Sequence, residues 1–260
     1  MVNLKWDHTV HYVNSLESAI KKFRKNGLIA FQGGSHKQWG TYNALSYFDL
    51  CYIEFLGVEN RELAEKVIEP NEVVRDSVKL LPGQEVLSRV ALRTDDIEEV
   101  GRHLTKLHLD VSPIMDGKRL DAQGNLIEWR MMTIAGDYQG LPYPFVIQWN
   151  ETDEVRRERL IDSGIIQDHH IGEVTIKSAV FHVSNPSTVA IHWHRLFGFE
   201  MFEQNVSSDS DKWMLVVGNQ TFIFIKGDEN RLQQLVFNTE VPDLKGKLIT
   251  IGEGEYLFEG

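Results

Sequence analysis

Cysteine is nearly missing from this chain. Its 260 residues include one, Cys51. No internal disulfide can form, and the composition suits a reducing cytosol. Long apolar runs are missing as well. No stretch approaches the ~18 apolar residues that a membrane-spanning helix needs. The first residues, MVNLKWDH, lack the basic-then-apolar order of a secretory signal. The expectation is a cytoplasmic protein with no membrane span. Positive charge is scarce: 27 Lys and Arg stand against 38 Asp and Glu, a net charge of −11. That weighs against broad binding to nucleic acid or to anionic membranes. It still allows an anionic small molecule, because locally grouped arginines override the mean field. A phosphate-binding glycine loop, a Ser–His–Asp pattern and zinc-finger spacing are also missing. The rest is ordinary, with 42% hydrophobic and 25% charged residues. The length suffices for one large or two average domains.

The stretch that organises the rest is residues 6–54. WDHTVHYV reads as a strand in which Trp6, His8, Val10 and Tyr12 share one face and Asp7, Thr9, His11 and Val13 the other. A helix follows, with Ser15 as N-cap, Gly27 as its stop and an apolar stripe of Leu16, Ile20 and Phe23. Residues 28–31 read as a second strand. A loop marked by Gly33-Gly34 then carries His36, Trp39, Thr41 and Asn43. In the strand CYIEF, Tyr52 and Glu54 share a face. His8 and Glu54 are thus single ionisable residues among apolar ones, where charge is rarely placed without a partner or a task. The unit reads βαβββ.

DHTVHYV, GGSHKQWGTYNAL and YIEF, followed downstream by RLDAQGNLIEWR and LPYPFVIQW, resemble the glyoxalase-like branch of the vicinal oxygen chelate superfamily. The matches fall in the expected order over residues 4–150. The resemblance implies an α+β fold of paired βαβββ units forming cupped mixed sheets in two lobes. It implies a divalent metal (Zn, Fe, Ni or Mn) held in the cup from first and fourth strands, with His8 and Glu54 at ligand positions. It also implies that His36, Trp39, Thr41 and Asn43 line a pocket rim.

The downstream text repeats the theme. Residues 59–83 read as helical and connective, divided by Pro70 and closed by Pro82-Gly83. A second unit has VLSRVALRT as a strand, a helix capped by Asp95 or Asp96, a strand LDVSPI, and the strands LIEWRMMTI and PFVIQW. Laying VALRTDDIEE over TVHYVNSLES puts Arg89 at the place of His8. Laying VIQW over YIEF puts Gln148 at that of Glu54. Residues 1–150 therefore read as a glyoxalase-like domain of two units, and residues 151–173 as a charged linker or connecting helix. Residues 174–260 read as a second, degenerate and shortened domain, with a helix opened by Asn185-Pro186 and a hairpin at Gly218-Asn219. There Ser178, Gln234 and Phe224 stand at the places matching His8, Arg89 and Glu54. Cys51 reads as core, His169-His170 as exposed linker, and His192 with His194 as a poor metal pair.

Arginine cannot ligate a cation, so Arg89 departs from the metal-binding pattern. Two accounts stay open. In one, His8 and Glu54 hold a metal that polarises substrate oxygens. In the other, Arg89, helped by Arg130, holds an anionic substrate beside Gln148, while Glu54 serves as base and His8 as acid. A buried ion pair among His8, Glu54 and Arg89 is the bland alternative. The functional readings are a glyoxalase-type lyase or isomerase acting on a small oxygenated, anionic metabolite, a binder that sequesters such a molecule, and an interaction protein whose second half makes a homodimer.

Overall fold

The computed structural model describes residues 3–121, 124–205 and 211–260. Met1 and Val2 of the N-terminal segment, and Ala122 and Gln123 within RLDAQGNLIEWR, lie outside the described residues. The first unit is β1 (Lys5–Tyr12), α1 (Leu16–Lys25), β2 (Phe31–His36), β3 (Thr41–Phe48) and β4 (Cys51–Val58). Two helices follow, α2 (Arg61–Glu65) and α3 (Glu72–Leu80). The second unit is β5 (Leu87–Arg93), α4 (Ile97–Lys106), β6 (Met115–Leu120), β7 (Leu126–Met132), a small hairpin of β8 (Asp137–Tyr138) and β9 (Leu141–Pro142), and β10 (Phe145–Trp149). Helix α5 (Asp153–Asp162) leads to β11 (Val174–Val183), α6 (Pro186–Phe197), β12 (Glu200–Asn205), β13 (Asp211–Val217) and β14 (Gln220–Lys226). β15 (Arg231–Thr239), β16 (Leu248–Ile251) and β17 (Gly254–Glu259) end the chain.

Two large mixed sheets result: eight strands in the order β2-β3-β4-β1-β5-β10-β7-β6, and seven in the order β12-β13-β14-β11-β15-β17-β16. The fold is α+β, with cupped sheets in two lobes. The first sheet curls until its edge strands meet, where Arg119 Nη1 donates to the Gly33 carbonyl at 3.1 Å. A Cβ on Gly34 would lie 2.2 Å from the Leu120 carbonyl, so this approach needs glycine.

Local chemistry sets the helices. Ser15 Oγ accepts from Ser18 N at 3.1 Å, Asp96 caps α4 through Glu99 N at 2.8 Å, and Pro186 opens α6 behind Asn185. One apolar core runs through both lobes and joins Trp6, Phe55 and Leu92 to Phe222, Phe237 and Tyr256. A second cluster, including Val10, Tyr12, Leu56, Ala91, Trp129 and Phe145, fills the concave side of the first sheet. Helix α3 plugs one end of that cup with Val73 and Val74, and Tyr12 Oη donates to the Val73 carbonyl at 2.8 Å.

Several local expectations are corrected. β2 starts at Phe31, not Leu28, and Gly33-Gly34 lie inside it at a register shift rather than in a bend. LDVSPI makes only the isolated bridge Val111–Ile134, and the strand begins at Met115. His169 is buried, and its Nδ1 accepts from Ile29 N at 3.0 Å. In the second lobe Ser178 and Gln234 share a face, because each pairs in line with Val180 or alternates with it. Phe224 lies on the other face, stacked on Phe181 at 5.1 Å. It is therefore one residue off the place of Glu54.

Candidate functional site

A β-bulge creates the centre of the site. Between Trp6 and His8 the pairing with β5 slips by one residue. Strict alternation would put Asp7 opposite His8. Instead Trp6 turns into the core shared with Phe222, at 5.2 Å between ring centroids, and Asp7 joins His8. The carboxylate Oδ1 of Asp7 sits 2.7 Å from His8 Nδ1. The other ring nitrogen, Nε2, faces Glu54 Oε2 at 3.5 Å. His8 lies flat on Tyr52 at 4.5 Å and edge-on to Phe145 at 5.4 Å.

All three ionisable groups are buried. Burial alone would lower the imidazole, but hydrogen bonds and charge from Asp7 and Glu54 outweigh it and hold His8 above its ordinary value. Both ring nitrogens face groups that only accept, so the imidazolium is the form that satisfies both. Burial would raise Glu54, but His8, His36 and Asn43 bring it down to about 2. Asp7 also falls below the usual carboxylate range despite its burial, because Arg156, His8 and Arg93 surround it. Its Oδ2 accepts from Trp149 Nε1 at 3.0 Å and from Arg156 Nη1 at 3.3 Å.

A second layer fixes Glu54. Asn43 Nδ2 donates to Glu54 Oε1 at 2.6 Å, while Asn43 Oδ1 accepts from Gly34 N at 3.0 Å. A Cβ on Gly33 would stand 2.2 Å from that amide oxygen. His36 Nδ1 lies 3.0 Å from Thr41 Oγ1, and burial pushes His36 down to about 4. His36 and Thr41 are direct partners on adjacent strands rather than a loose rim. His8, Glu54, His36, Trp39, Thr41 and Asn43 all line one cavity of about 50 Å³. Trp129, Met131, Phe145 and Asn71 are among the other residues of its wall.

The other three expected site residues are elsewhere. Arg89 is buried beneath α3, with Nε 2.8 Å from Asp76 Oδ2 and Nη1 2.7 Å from the Tyr143 carbonyl. It does not line the cavity. Gln148 Oε1 accepts from Ile97 N at the start of α4 at 2.9 Å and from Arg130 Nη2 at 2.8 Å, and Arg130 also pairs with Glu98. Both sit on the helix side of the sheet. The reason is register. Val10 pairs with Glu54, and Ala91, which lies where Val10 does, pairs with Phe145. The counterpart of Glu54 is therefore Phe145. Gln148 is three residues on, an odd shift that changes face. Asp7, Tyr52, Phe145 and Arg119 were missed. Asp7 left a signal as a carboxylate adjoining the histidine, and Tyr52 as the residue that shares the face of Glu54.

This donor set does not fit the divalent metal that the resemblance implies. The second unit offers Arg89 and Phe145 at the matching places, and Asn43 aims an N–H at Glu54. Among the described residues no three His, Cys, Asp or Glu side chains come together as a metal-holding group. Among the described residues there is also no helix long and apolar enough to cross a membrane.

Outside the cavity lies a larger chamber of about 590 Å³, roofed by α5. Leu45, Arg119 and Trp149 line both spaces. Residues 151–173, expected as a linker or connecting helix, thus put a helix over the mouth of the cup. Arg156 is buried there with its guanidinium 4.0 Å from the centre of the Trp149 ring.

No curated protein matches the chain. Among solved structures, a hypothetical protein from Staphylococcus aureus is similar over 98% of this chain and 99% of its own, at 24% identity and a TM-score of 0.84. A Mn(II)-bound glyoxalase from Novosphingobium aromaticivorans is similar over 99% of this chain and 81% of its own, at 10% identity and a TM-score of 0.57. A mutant 4-hydroxymandelate synthase from Streptomyces coelicolor covers 92% of this chain and 72% of its own, at 10% identity and a TM-score of 0.52. These likenesses concern the fold. The sequence profile described as a glyoxalase-like domain matches residues 6–197, running from the first strand through α5 to the end of α6. With that match across both cup-forming units, the chain belongs to the glyoxalase-like domain family, within the vicinal oxygen chelate superfamily.

Proposed function

We propose that this protein binds a small oxygenated metabolite with its reacting end in the inner cavity and moves a proton on it, in lyase or isomerase chemistry. The observation that carries this reading is the His8 imidazole held between two buried carboxylates, Asp7 and Glu54, in an aromatic cavity. A carbonyl compound entering between His8 Nε2 and Glu54 separates the two. His8 then donates its Nε2 proton to the carbonyl oxygen, while Glu54 takes a proton from the adjacent carbon, giving an enol. Return of a proton to a different carbon or face yields an isomer. Glu54 is a weak base while His8 bonds it. Once the substrate replaces that contact, one of the hydrogen bonds that hold Glu54 down is lost and its basicity rises. Asp7 positions His8, and Asn43 positions Glu54.

In the same reading, residues 1–150 form the glyoxalase-like domain with the cavity, 151–173 a linker whose helix covers it, and 174–260 a shortened second domain. A non-catalytic sequestration protein is the second reading. It is favoured by the second unit, which contributes Phe145 where the first has Glu54. Calorimetry on a panel of small 2-oxo and 2-hydroxy acids, joined to proton–deuterium exchange at carbon followed by NMR, separates the two. Wild type is expected to exchange a bound compound. His8→Asn and Glu54→Gln should keep binding within a few fold and lose about 10²–10⁴ in rate, the range for one acid or base. A compound that binds wild type yet exchanges no faster than with His8→Asn would leave sequestration standing and remove the enzymatic reading.

A further inference from the structure

The inner cavity is too small to hold a metabolite alone. Its free space of about 50 Å³ takes roughly three to five water-sized groups, given that one needs about 10–15 Å³. That suits the reacting end of a ligand. The rest has to occupy the adjoining chamber, which has about 590 Å³.

The chamber wall has a charge pattern unlike the protein as a whole. The molecule carries −11, yet among the described residues four arginines line the chamber (Arg24, Arg119, Arg156 and Arg159) against one carboxylate, Asp121. Two of them are committed. Arg156 faces Asp7, and Arg159 grips Glu151 with Nη2 to Oε2 at 2.8 Å. That leaves Arg24 and Arg119 against Asp121, a local positive excess in a recess where the field is screened less than at the open surface. Arg119 stands at the junction, lining both spaces. Its charge reaches the inner wall, where it adds to the burial and helps lower His36. The peptide carbonyl of Gly33 holds one of its nitrogens at 3.1 Å, fixing the guanidinium at that junction.

We propose that the outer chamber, roofed by α5, is the subsite for an anionic oxygen group of the ligand, a carboxylate or a phosphate, and that Arg119 anchors it. This rests on the reading that the reacting end lies against His8. The ligand is then a short two-ended molecule: an oxygenated carbon centre in the cavity and an anionic tail outside it, a few bonds away. Arg89, whose place in the repeat suggested it for this task, is held by Asp76 instead. The cation that recognises the ligand comes from the far edge of the sheet, on β6.

Calorimetry with succinate and with methyl phosphate reads the chamber directly, because neither probe needs proton transfer. At least one should bind wild type, more weakly as salt rises, and the stronger of the two identifies the group. Arg119→Gln should weaken that probe roughly ten- to a hundredfold, the worth of a charge-assisted bond, and Arg119→Lys by less. Arg24→Gln, an exposed position, should weaken binding severalfold and covers the case in which Arg119→Gln fails to fold. The proposal is overturned if neither probe binds wild type, or if both bind Arg119→Gln, or Arg24→Gln where the former does not fold, as tightly as wild type. Probe binding without carbon exchange in wild type supports the chamber while removing the enzymatic reading. Exchange without probe binding does the reverse.

Discussion

At the scale of single residues, two side chains show how a correct pattern leads to the wrong neighbour. Arg89 does occupy the place in its unit that His8 has in the first, since Ser15 and Asp96 cap the helices that follow at the same offset. What the sequence could not reveal is Asp76, which arrives from α3 and takes the guanidinium at 2.8 Å. Asp7 shows the converse. A period-two reading separates it from His8, and one bulged residue reunites them. Such bulges leave no compositional mark, because the extra residue is an ordinary strand residue. Arg89 is therefore expected to be structural. Arg89→Met should cost about 2–4 kcal/mol, less than a fully buried pair because Asp76 is partly exposed. It should also leave probe binding in the chamber unchanged. Urea unfolding and calorimetry check the two halves, and a variant of full stability would contradict the pairing.

At the scale of elements, the helices were legible because their ends carry chemistry: hydroxyl and carboxylate caps at Ser15 and Asp96, and proline at the start of α6. The first and fourth strands of the first unit were legible from alternation, whereas the text of β2 and β3 read in part as a loop. The fourth strand of the second unit was placed at PFVIQW, but its inward face was not, because the segment offers several apolar alternations and only its pairing with Ala91 selects Phe145 as the inward residue. The two covers of the cup were also hidden. α3 falls in text that reads as helical and connective, and α5 in a linker or connecting helix, but a short amphipathic helix does not announce what it packs against. Leu160 decides how firmly α5 is seated, being buried with Leu45, Tyr47 and Tyr52. Leu160→Ala is expected to cost about 2–4 kcal/mol. Amide exchange within α5 should quicken more than in β1 or β4, measured by mass spectrometry. Uniform quickening would mean that the helix belongs to the same cooperative unit as the sheet.

At the scale of the whole molecule, acid stability follows from buried neutral imidazoles. Burial pushes His11 down to about 3 and His169 to about 4, as it does His36. Each folded value lies below the ordinary 6.5, so each histidine contributes stability that is complete above pH 6.5. That contribution is lost as pH falls toward the folded value, at up to about 1.4 kcal/mol per pH unit per group. The unfolding midpoint in urea should drop steeply between pH 6.5 and 4, and His169→Gln should flatten the fall. A midpoint insensitive to pH in that window would show that these imidazoles stay solvated. His11 contacts Tyr256 across the boundary between the lobes, so this loss also loosens their contact. One carboxylate has a wider role. Asp7 is shared between His8 at 2.7 Å, on the sheet, and Arg156 at 3.3 Å, on the covering helix. Whatever lifts α5 withdraws one cation from Asp7 and leaves more of its charge to His8. Helix position and proton occupancy of His8 are therefore reciprocal variables of one equilibrium: a ligand that displaces the helix tightens the proton on His8, and removing that proton by alkali draws the helix down.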